Sequence, residues 1–208
     1  MKVSIIGTGN MGSGFANQLV KAGHSVTVSG RDAAKAAALA AASGAGIGNA
    51  ASAAVADVII LATGFDTAAD ALKSLGDLSG KIVVDVTNPL TADYMGLTIG
   101  HSTSAAEQIA AAVPGVTLVK GFNTLFAPLL AAGPRLGDDK VPVFLASDDA
   151  AAKQIVGDLA RSIGFAVVDA GPLKNARYLE PLAGLNIYLG YGAGLGTAIA
   201  PAWLPFSA

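Results

Sequence analysis

Apolar residues recur along this chain in two alternating patterns, short β-branched runs and longer stretches with helical spacing. The short runs predict strands and the longer stretches predict helices, because a strand covered on both faces is apolar throughout whereas a helix on a sheet is apolar along one stripe. Strands are predicted at 2–7, 25–29, 57–63, 81–86, 116–121, 142–147 and 165–169. Helices are predicted at 10–22, 33–43, 67–75, 104–113, 150–163 and from about 175 onward.

The regular alternation of these elements is typical of an α/β protein with a Rossmann-type, doubly wound and mostly parallel sheet. We expect residues 1–170 to form this domain and residues 171–208 to add a short helical segment, as a dimer or acceptor-site element. The Ala-, Gly- and Ser-rich stretch 36–56 has no clear apolar period, but part of it favours helix.

The first predicted strand leads directly into a loop with the spacing Gly-x-Gly-x-x-Gly. Gly7 permits a tight turn, Gly9 lets the backbone approach a pyrophosphate, and Gly12 allows the next helix to pack closely on the strand. A pyrophosphate would lie at the N-terminus of that helix, where free N–H groups point toward it. The motif therefore predicts dinucleotide binding, with a purely structural strand–turn–helix as the alternative.

The end of the second predicted strand indicates which dinucleotide is bound. An acidic side chain at this place would select NAD, but the chain has Ser29 and Gly30 here. Arg31 follows, and Lys35 lies one helical turn later, so both can face a 2′-phosphate. Asp32 is expected to cap the following helix. The pattern favours NADP(H), and solvated charges at a helix start are the alternative.

Composition excludes several other classes of function. The net charge is −2, only 13% of residues are charged and no basic run occurs, which argues against a nucleic-acid partner. The absence of cysteine excludes disulfides and thiol nucleophiles, and two histidines are too few for a His-based cluster, so no metal is expected. The first predicted strand begins at residue 2, which leaves no room for a signal peptide and predicts a cytoplasmic location.

The stretch 182–200 carries no charge and contains five glycines and two tyrosines. Small residues at this density suit close packing against a partner, so we expect a buried element or the interface of a homodimer. A membrane segment is the alternative, because the stretch is nearly long enough to span a bilayer.

Six segments carry a resemblance to a known family. They are 7–12, 29–31 with Lys35, 85–90, 102–107, 121–124 and 169–177. In this order they resemble the F420-dependent NADP oxidoreductase family, and the reductase domain of the STEAP ferric reductases is similar in the same places. The resemblance extends over about residues 1–200. It implies hydride transfer between NADP and coenzyme F420, a deazaflavin, or a flavin.

The resemblance also implies roles for particular residues. NADP phosphates and ribose would be held by Thr8, Asn10, Met11, Arg31 and Lys35. The middle of the dinucleotide would be lined by Ala62, Thr63 and Gly64, and the nicotinamide would lie near Asn88. The chain departs from the archaeal pattern in having Asn123 in place of a histidine, and in the order Ser-Gly-Arg instead of Gly-Ser-Arg at 29–31.

The remaining chemistry concerns the hydride acceptor. Hydride transfer requires that the donor and acceptor rings be aligned. Asn88 and Asn123 are expected to orient these rings by hydrogen bonds. Reduction of a carbonyl or imine also needs a proton donor, and the candidates near strand ends are Tyr94, His101, Lys120 and Tyr178. The tail after the last predicted strand is too short to enclose a small substrate, so a flat flavin-like acceptor is favoured. A carbonyl or imine reductase and a non-catalytic NADP sensor are the alternatives.

Overall fold

The helices and strands predicted from apolar spacing all occur in the computed structural model, with ends within two residues of the prediction. The structure describes residues 1–203. Its strands are β1 Lys2–Ile6, β2 Ser25–Ser29, β3 Gly46–Ile47, β4 Val58–Leu61, β5 Ile82–Asp85, β6 Thr117–Lys120, β7 Arg135–Leu136, β8 Asp139–Lys140, β9 Pro142–Leu145 and β10 Ala166–Asp169. Its α-helices are α1 Asn10–Lys21, α2 Ala33–Ser43, α3 Ala50–Ala54, α4 Phe65–Lys73, α5 Ala105–Ala112, α6 Ala127–Ala132, α7 Ala150–Ser162 and α8 Ala176–Ile187.

Six strands form one parallel sheet in the order β3-β2-β1-β4-β5-β6. Strand β1 pairs on one side with β2, through Val3 and Val26, and on the other with β4, through Val3 and Val58. The strand order therefore reverses between β1 and β4. In open α/β sheets ligands bind at the carboxyl ends of the strands beside such a reversal, so this crevice is the expected site.

Strands β9 and β10 pair with each other in parallel and meet the main sheet at its β6 edge. The junction is a single antiparallel bridge, in which the backbone groups of Lys120 and Ala146 exchange hydrogen bonds of 2.9 and 3.0 Å. The sheet is thus Rossmann-type and mostly parallel, as the sequence predicts.

Several short elements do not follow from the apolar pattern. Strand β3 and helix α3 lie in the Ala-, Gly- and Ser-rich stretch, and α6 and the β7–β8 hairpin lie between β6 and β9. Elements of two to six residues are too short to show a period. Local chemistry still marks one of them, because Asn49 and Ser52 form a reciprocal capping box at the start of α3.

Each face of the sheet is covered by its own apolar cluster. Neighbouring residues of a strand point to opposite faces, so Ile5 belongs to one cluster and Ile6 to the other. On the Ile5 face, Phe122 packs edge-to-face between Phe15 and Phe165, with ring centroids 5.0 and 6.2 Å away. This packing fixes α1 and the segment that follows β6, both of which reach the ligand-binding edge.

The C-terminal part continues from a 3₁₀ turn, Leu173–Asn175, through α8 to a π-helical turn, Tyr188–Gly192. Helix α8 packs against α5. The uncharged stretch 182–200 is only partly buried, because Leu185, Tyr188, Tyr191 and Leu195 are each more than half exposed. No helix within residues 1–203 has the length and apolar character needed to cross a bilayer. The last five residues of the expected segment 171–208 lie outside the described residues.

Candidate functional site

A cavity of about 770 Å³ opens at the carboxyl ends of β1, β2 and β4, where the strand order reverses. Most of the residues predicted to bind the cofactor line it. They are Gly7, Thr8, Gly9, Ser29, Gly30, Arg31, Lys35, Ala62, Thr63 and Gly64. A volume of this size is in the range of cofactor sites, and its lining combines backbone groups with two cationic side chains.

The three loop glycines have different physical reasons to be glycine. Gly7 has φ +124°, and a Cβ there would lie 2.2 Å from the carbonyl oxygen of Ala62. A Cβ on Gly12 would lie 2.0 Å from the carbonyl oxygen of Gly7, so its absence allows α1 to pack on β1. A Cβ on Gly9 would meet nothing within 4 Å. The fold therefore needs Gly7 and Gly12, whereas Gly9 leaves open space at the cavity.

Two helices begin at this cavity without a side-chain cap. The N-cap residues of α1 and α4 are Gly9 and Gly64, which have no side chain to accept from the first N–H groups. By contrast, Asp32 caps α2 and Ser104 caps α5. Uncapped N–H groups at a positive helix end are the usual ligands for a phosphate. The start of α1 thus presents free N–H groups that could bind a phosphate.

The remaining residues of the predicted loop do not line this cavity. Asn10 and Met11 form the first turn of α1, where Asn10 is exposed and Met11 is partly buried against the apolar core. Their backbone N–H groups belong to the uncapped set at the start of the helix. They can therefore contribute to a phosphate site through the backbone.

Two cationic side chains and one carboxylate lie at the end of the cavity beside the start of α2. Asp32 Oδ1 accepts hydrogen bonds from the backbone of Ala34 and Lys35, at 3.0 and 3.1 Å, and so serves as the cap of α2. Lys35 Nζ lies 3.7 Å from Asp32 Oδ2, and its side chain is 74% exposed. Among residues 1–203, no carboxylate forms an ion pair with Arg31. Both cations are thus available to a phosphate.

Other lining residues were not predicted from the sequence. They are Ile6, Asp32, Gly48, Asn49, Thr67, Asp70, Ala71, Ser74 and Leu75. Thr67, Asp70, Ala71 and Ser74 occupy successive turns of one α4 face, so helical spacing from Gly64 would have identified that wall. Gly48 and Asn49 follow the unpredicted strand β3, and no signal in the sequence marks them as cavity residues.

The predicted pair Asn88 and Asn123 lies at the ends of the next two strands. Asn88 Nδ2 donates to the carbonyl oxygen of Asn123 at 2.8 Å, and Asn123 Nδ2 donates back to Asn88 Oδ1 at 3.0 Å. Asn123 Nδ2 also donates to the carbonyl oxygen of Leu179 at 2.9 Å. Asn123 is 5% exposed, whereas Asn88 is half-buried. Neither residue lines either cavity, and Asn88 is the more accessible member of the pair, with Asn123 bonded to it.

Lys120, a proton-donor candidate in the sequence, is fully buried. Its Nζ donates to Asp85 Oδ2 at 2.9 Å and to the carbonyl oxygen of Thr87, and it lies 2.9 Å from Glu180 Oε1. The ammonium has three N–H donors and three acceptors, so no donor is left for a substrate. The interpretation of Lys120 as a proton donor is therefore wrong.

A second cavity, of about 910 Å³, contains the predicted residue His101. Its lining is Leu97, Thr98, Ile99, Gly100, His101, Lys174, Asn175, Arg177, Tyr178 and Pro181. Arg177 is bound by Glu107 across this wall, through three hydrogen bonds of 2.6 to 3.2 Å. These bonds hold the pKa of the Glu107 carboxyl below its usual value, although partial burial opposes the shift. Because Arg177 is paired with Glu107, Lys174 and His101 are the other basic residues that line this cavity.

Both walls of the second cavity are connected to the amide pair. On one side, the backbone N–H of Thr98 donates to the carbonyl oxygen of Pro89, the residue after Asn88, at 2.7 Å. On the other side, the Leu179 carbonyl that accepts from Asn123 lies two residues before Pro181 on α8. Each wall is thus linked to one amide of the pair, through Pro89 or Leu179, although neither amide lines the cavity.

Comparisons with known proteins agree with this geometry. Residues 2–89 match the family model described as NADP oxidoreductase coenzyme F420-dependent. An F420-dependent NADP reductase of Methanothermobacter marburgensis is 31% identical over 208 residues, covering 91% of this chain and 92% of that protein. A crystal structure from Arthrobacter sp. FB24, provisionally described as an F420-dependent NADP reductase, is 31% identical with a TM-score of 0.85, covering 95% of this chain and 96% of that one.

Metalloreductase STEAP3 of Rattus norvegicus is 36% identical over 182 residues. The match covers 87% of this chain, but the chain spans only 36% of that protein. The similarity to the metalloreductase therefore concerns one part of a longer chain, whereas the reductase of Methanothermobacter marburgensis is matched over nearly its whole length.

Proposed function

Because the chain belongs to the F420-dependent NADP oxidoreductase family, we propose that it transfers a hydride between NADPH and a flavin-like or deazaflavin acceptor. The family makes it an NADP-dependent oxidoreductase. The observation that supports the acceptor is the second cavity, whose two walls are linked to the Asn88–Asn123 pair through Pro89 and Leu179. The dinucleotide would occupy the first cavity and the acceptor the second.

NADPH supplies the hydride when bound, and the residues of the chain bind and orient it. Arg31 and Lys35 hold the 2′-phosphate, and the uncapped start of α1 holds the pyrophosphate. Asn88 has one amide N–H not used within the pair, which is free to orient the nicotinamide carboxamide. Asn123 keeps Asn88 in place, and neither amide transfers a proton.

The second cavity has the chemistry to receive a flat, anionic acceptor. Tyr178 is 73% exposed and offers an aromatic face, while Lys174 lies at the rim of the same cavity. No carboxylate lines this cavity among the described residues. Flavin nucleotides and coenzyme F420 combine a planar ring with a negatively charged tail, so both fit this combination of groups. Alignment of donor and acceptor rings is the main contribution that the protein makes to such a reaction.

NADPH oxidation with a panel of FMN, riboflavin, coenzyme F420, a quinone and a cyclic imine tests the proposed function. We expect turnover with at least one flavin or F420, and a rate without a steep limb between about pH 6 and 9, because no side chain transfers an essential proton. His101→Ala should keep the rate within about twofold.

The second candidate function is reduction of a small carbonyl or imine, which the position of His101 in the second cavity favours. In that case only the imine or a carbonyl would be reduced, and His101→Ala would abolish the activity. This outcome would contradict the flavin or deazaflavin acceptor and assign His101 as the proton donor.

We further propose that the protein is a homodimer joined partly through the stretch 182–200. Leu185, Tyr188, Tyr191 and Leu195 are between 52% and 60% exposed, and several exposed apolar side chains on one short stretch favour burial against a partner. Light scattering at micromolar concentration should give twice the chain mass. Leu185→Lys should shift the mass toward that of a monomer, whereas Val55→Lys, at an equally exposed apolar residue elsewhere, should not. A monomer mass for the unmodified protein would contradict the proposal.

A further inference from the structure

A buried ion cluster lies next to the amide pair and takes no part in the steps above. Lys120 and Asp85 are both fully buried, and Glu180 is 1% exposed. A buried ion cluster is weak evidence for stability, because well-packed apolar residues of similar volume often stabilise a fold as much or more. A cluster of this kind can instead select one geometry among several. The question is therefore which geometry these three residues determine.

The Asp85–Lys120 pair binds both backbone polar groups of Thr87. Asp85 Oδ1 accepts from the Thr87 N–H at 2.8 Å, and Lys120 Nζ donates to the Thr87 carbonyl oxygen. Thr87 lies beyond the end of β5 and has no strand partner of its own. At Thr87, two charged side chains thus supply the backbone hydrogen bonds that a neighbouring strand would otherwise supply. The next residue along the chain is Asn88.

Glu180 connects the same ammonium to the other side of the site. Its carboxylate lies 2.9 Å from Lys120 Nζ and accepts from the backbone N–H groups of Ala105 and Ala106, at 2.8 and 3.2 Å. The residue before Glu180 is Leu179, whose carbonyl accepts from Asn123. Asn88 therefore directly follows a residue that the cluster binds, and Asn123 contacts the residue that precedes Glu180.

We propose that Lys120 is a positioning residue, which through Thr87 sets the direction of the Asn88 side chain toward the nicotinamide. Lys120 itself touches neither cofactor nor acceptor. The proposal rests on the proposed function only in placing the nicotinamide at Asn88. It predicts that loss of the Lys120 ammonium weakens binding of the nicotinamide half of the dinucleotide and leaves binding of the adenosine half unchanged.

The test compares two ligands, NADP⁺ and 2′-phospho-ADP-ribose, which is the same molecule without nicotinamide. In the double variant Lys120→Met/Asp85→Asn, one buried cation and one buried anion are removed together, and the introduced amide oxygen can still accept from Thr87. We expect the affinity ratio of NADP⁺ to 2′-phospho-ADP-ribose to fall at least fivefold, with the affinity for the truncated ligand changed less than twofold. Asp85→Asn alone is the milder variant, and should lower the ratio at least twofold.

Val156→Ala is the control, because Val156 is fully buried on α7 and lies outside both cavities. It should lower the melting temperature without changing the ratio. An unchanged ratio in a folded cluster variant, or an equal fall in Val156→Ala, would overturn the positioning role. This binding test needs no acceptor, so it stands apart from the proposed function, which fails if the unmodified protein reduces no flavin or deazaflavin.

In the turnover assay, the cluster variants should lose at least tenfold in kcat, and KM for NADPH should rise about as much as the affinity for NADP⁺ falls. The deuterium isotope effect with 4-deuterated NADPH should rise, because poorer alignment slows the hydride step itself. A lower kcat with an unchanged isotope effect would count against positioning, since a general loss of folded protein produces that result.

Discussion

Replacement of Gly9 by alanine should weaken NADPH binding about 10- to 100-fold, while the free energy of unfolding stays within about 1 kcal/mol of the unmodified value. In the protein alone an added Cβ at Gly9 meets nothing within 4 Å, and the residue has an ordinary backbone conformation with φ −79°. The methyl group would therefore occupy the space that the pyrophosphate needs at the start of α1. Overpacking of about 1–3 kcal/mol accounts for the expected loss of affinity. Fluorescence titration with NADPH and chemical unfolding measure the two quantities.

Gly12→Ala is the matched control in the same loop. Its Cβ would lie 2.0 Å from the carbonyl oxygen of Gly7, so backbone must move and the variant should be much less stable. If Gly9→Ala bound NADPH normally, or if both variants lost stability equally, the pyrophosphate would not approach the chain at Gly9.

Replacement of Arg31 by aspartate should erase or reverse a preference for NADPH over NADH that is at least tenfold in the unmodified protein. Arg31 and Lys35 line the cavity beside the start of α2, and the Asp32 carboxylate is occupied as the cap of that helix. Charge-assisted hydrogen bonds contribute about 1.5–3 kcal/mol each before screening by salt. An aspartate at this position would repel the 2′-phosphate and could accept from a ribose hydroxyl instead. Dissociation constants for both dinucleotides at one ionic strength measure the change.

Lys140→Asp changes the net charge by the same amount at an exposed residue that lines neither cavity. It should leave the ratio of the two dissociation constants unchanged. Equal affinities of the unmodified protein for NADPH and NADH would refute the assignment of the phosphate site.

The fold and the grouping of the glycine loop with Arg31 and Lys35 around one cavity could be predicted because their signals are local. Strand β1, the glycine loop and helix α1 are consecutive in the chain, and Arg31 and Lys35 follow the next strand directly. The spacing of apolar residues and of glycines is therefore enough to predict this crevice, and contacts between distant parts of the chain need not be known.

The ion cluster could not be predicted in this way. Asp85 and Lys120 are each the last residue of an apolar strand, where a charged residue is usually exposed to solvent. Glu180 lies on a helix far along the chain. Only the pairing of β5 with β6 and the docking of α8 bring the three side chains together. The second cavity has the same origin, because its walls come from the loop after β5 and from α8.

The cluster also separates two stages in the assembly of the site. The phosphate-binding crevice is built from β1, α1, β2 and β4, whose contacts span short lengths of chain. Lys120 and Asp85 acquire Glu180 only when a long loop closes and α8 docks, and such closures carry the larger entropic cost. A folding intermediate in which α8 has not docked would thus already bind the phosphates of the dinucleotide. It would not yet orient the nicotinamide ring. If the proposed roles hold, hydride transfer would require the docking of α8, whereas binding of the dinucleotide phosphates would not.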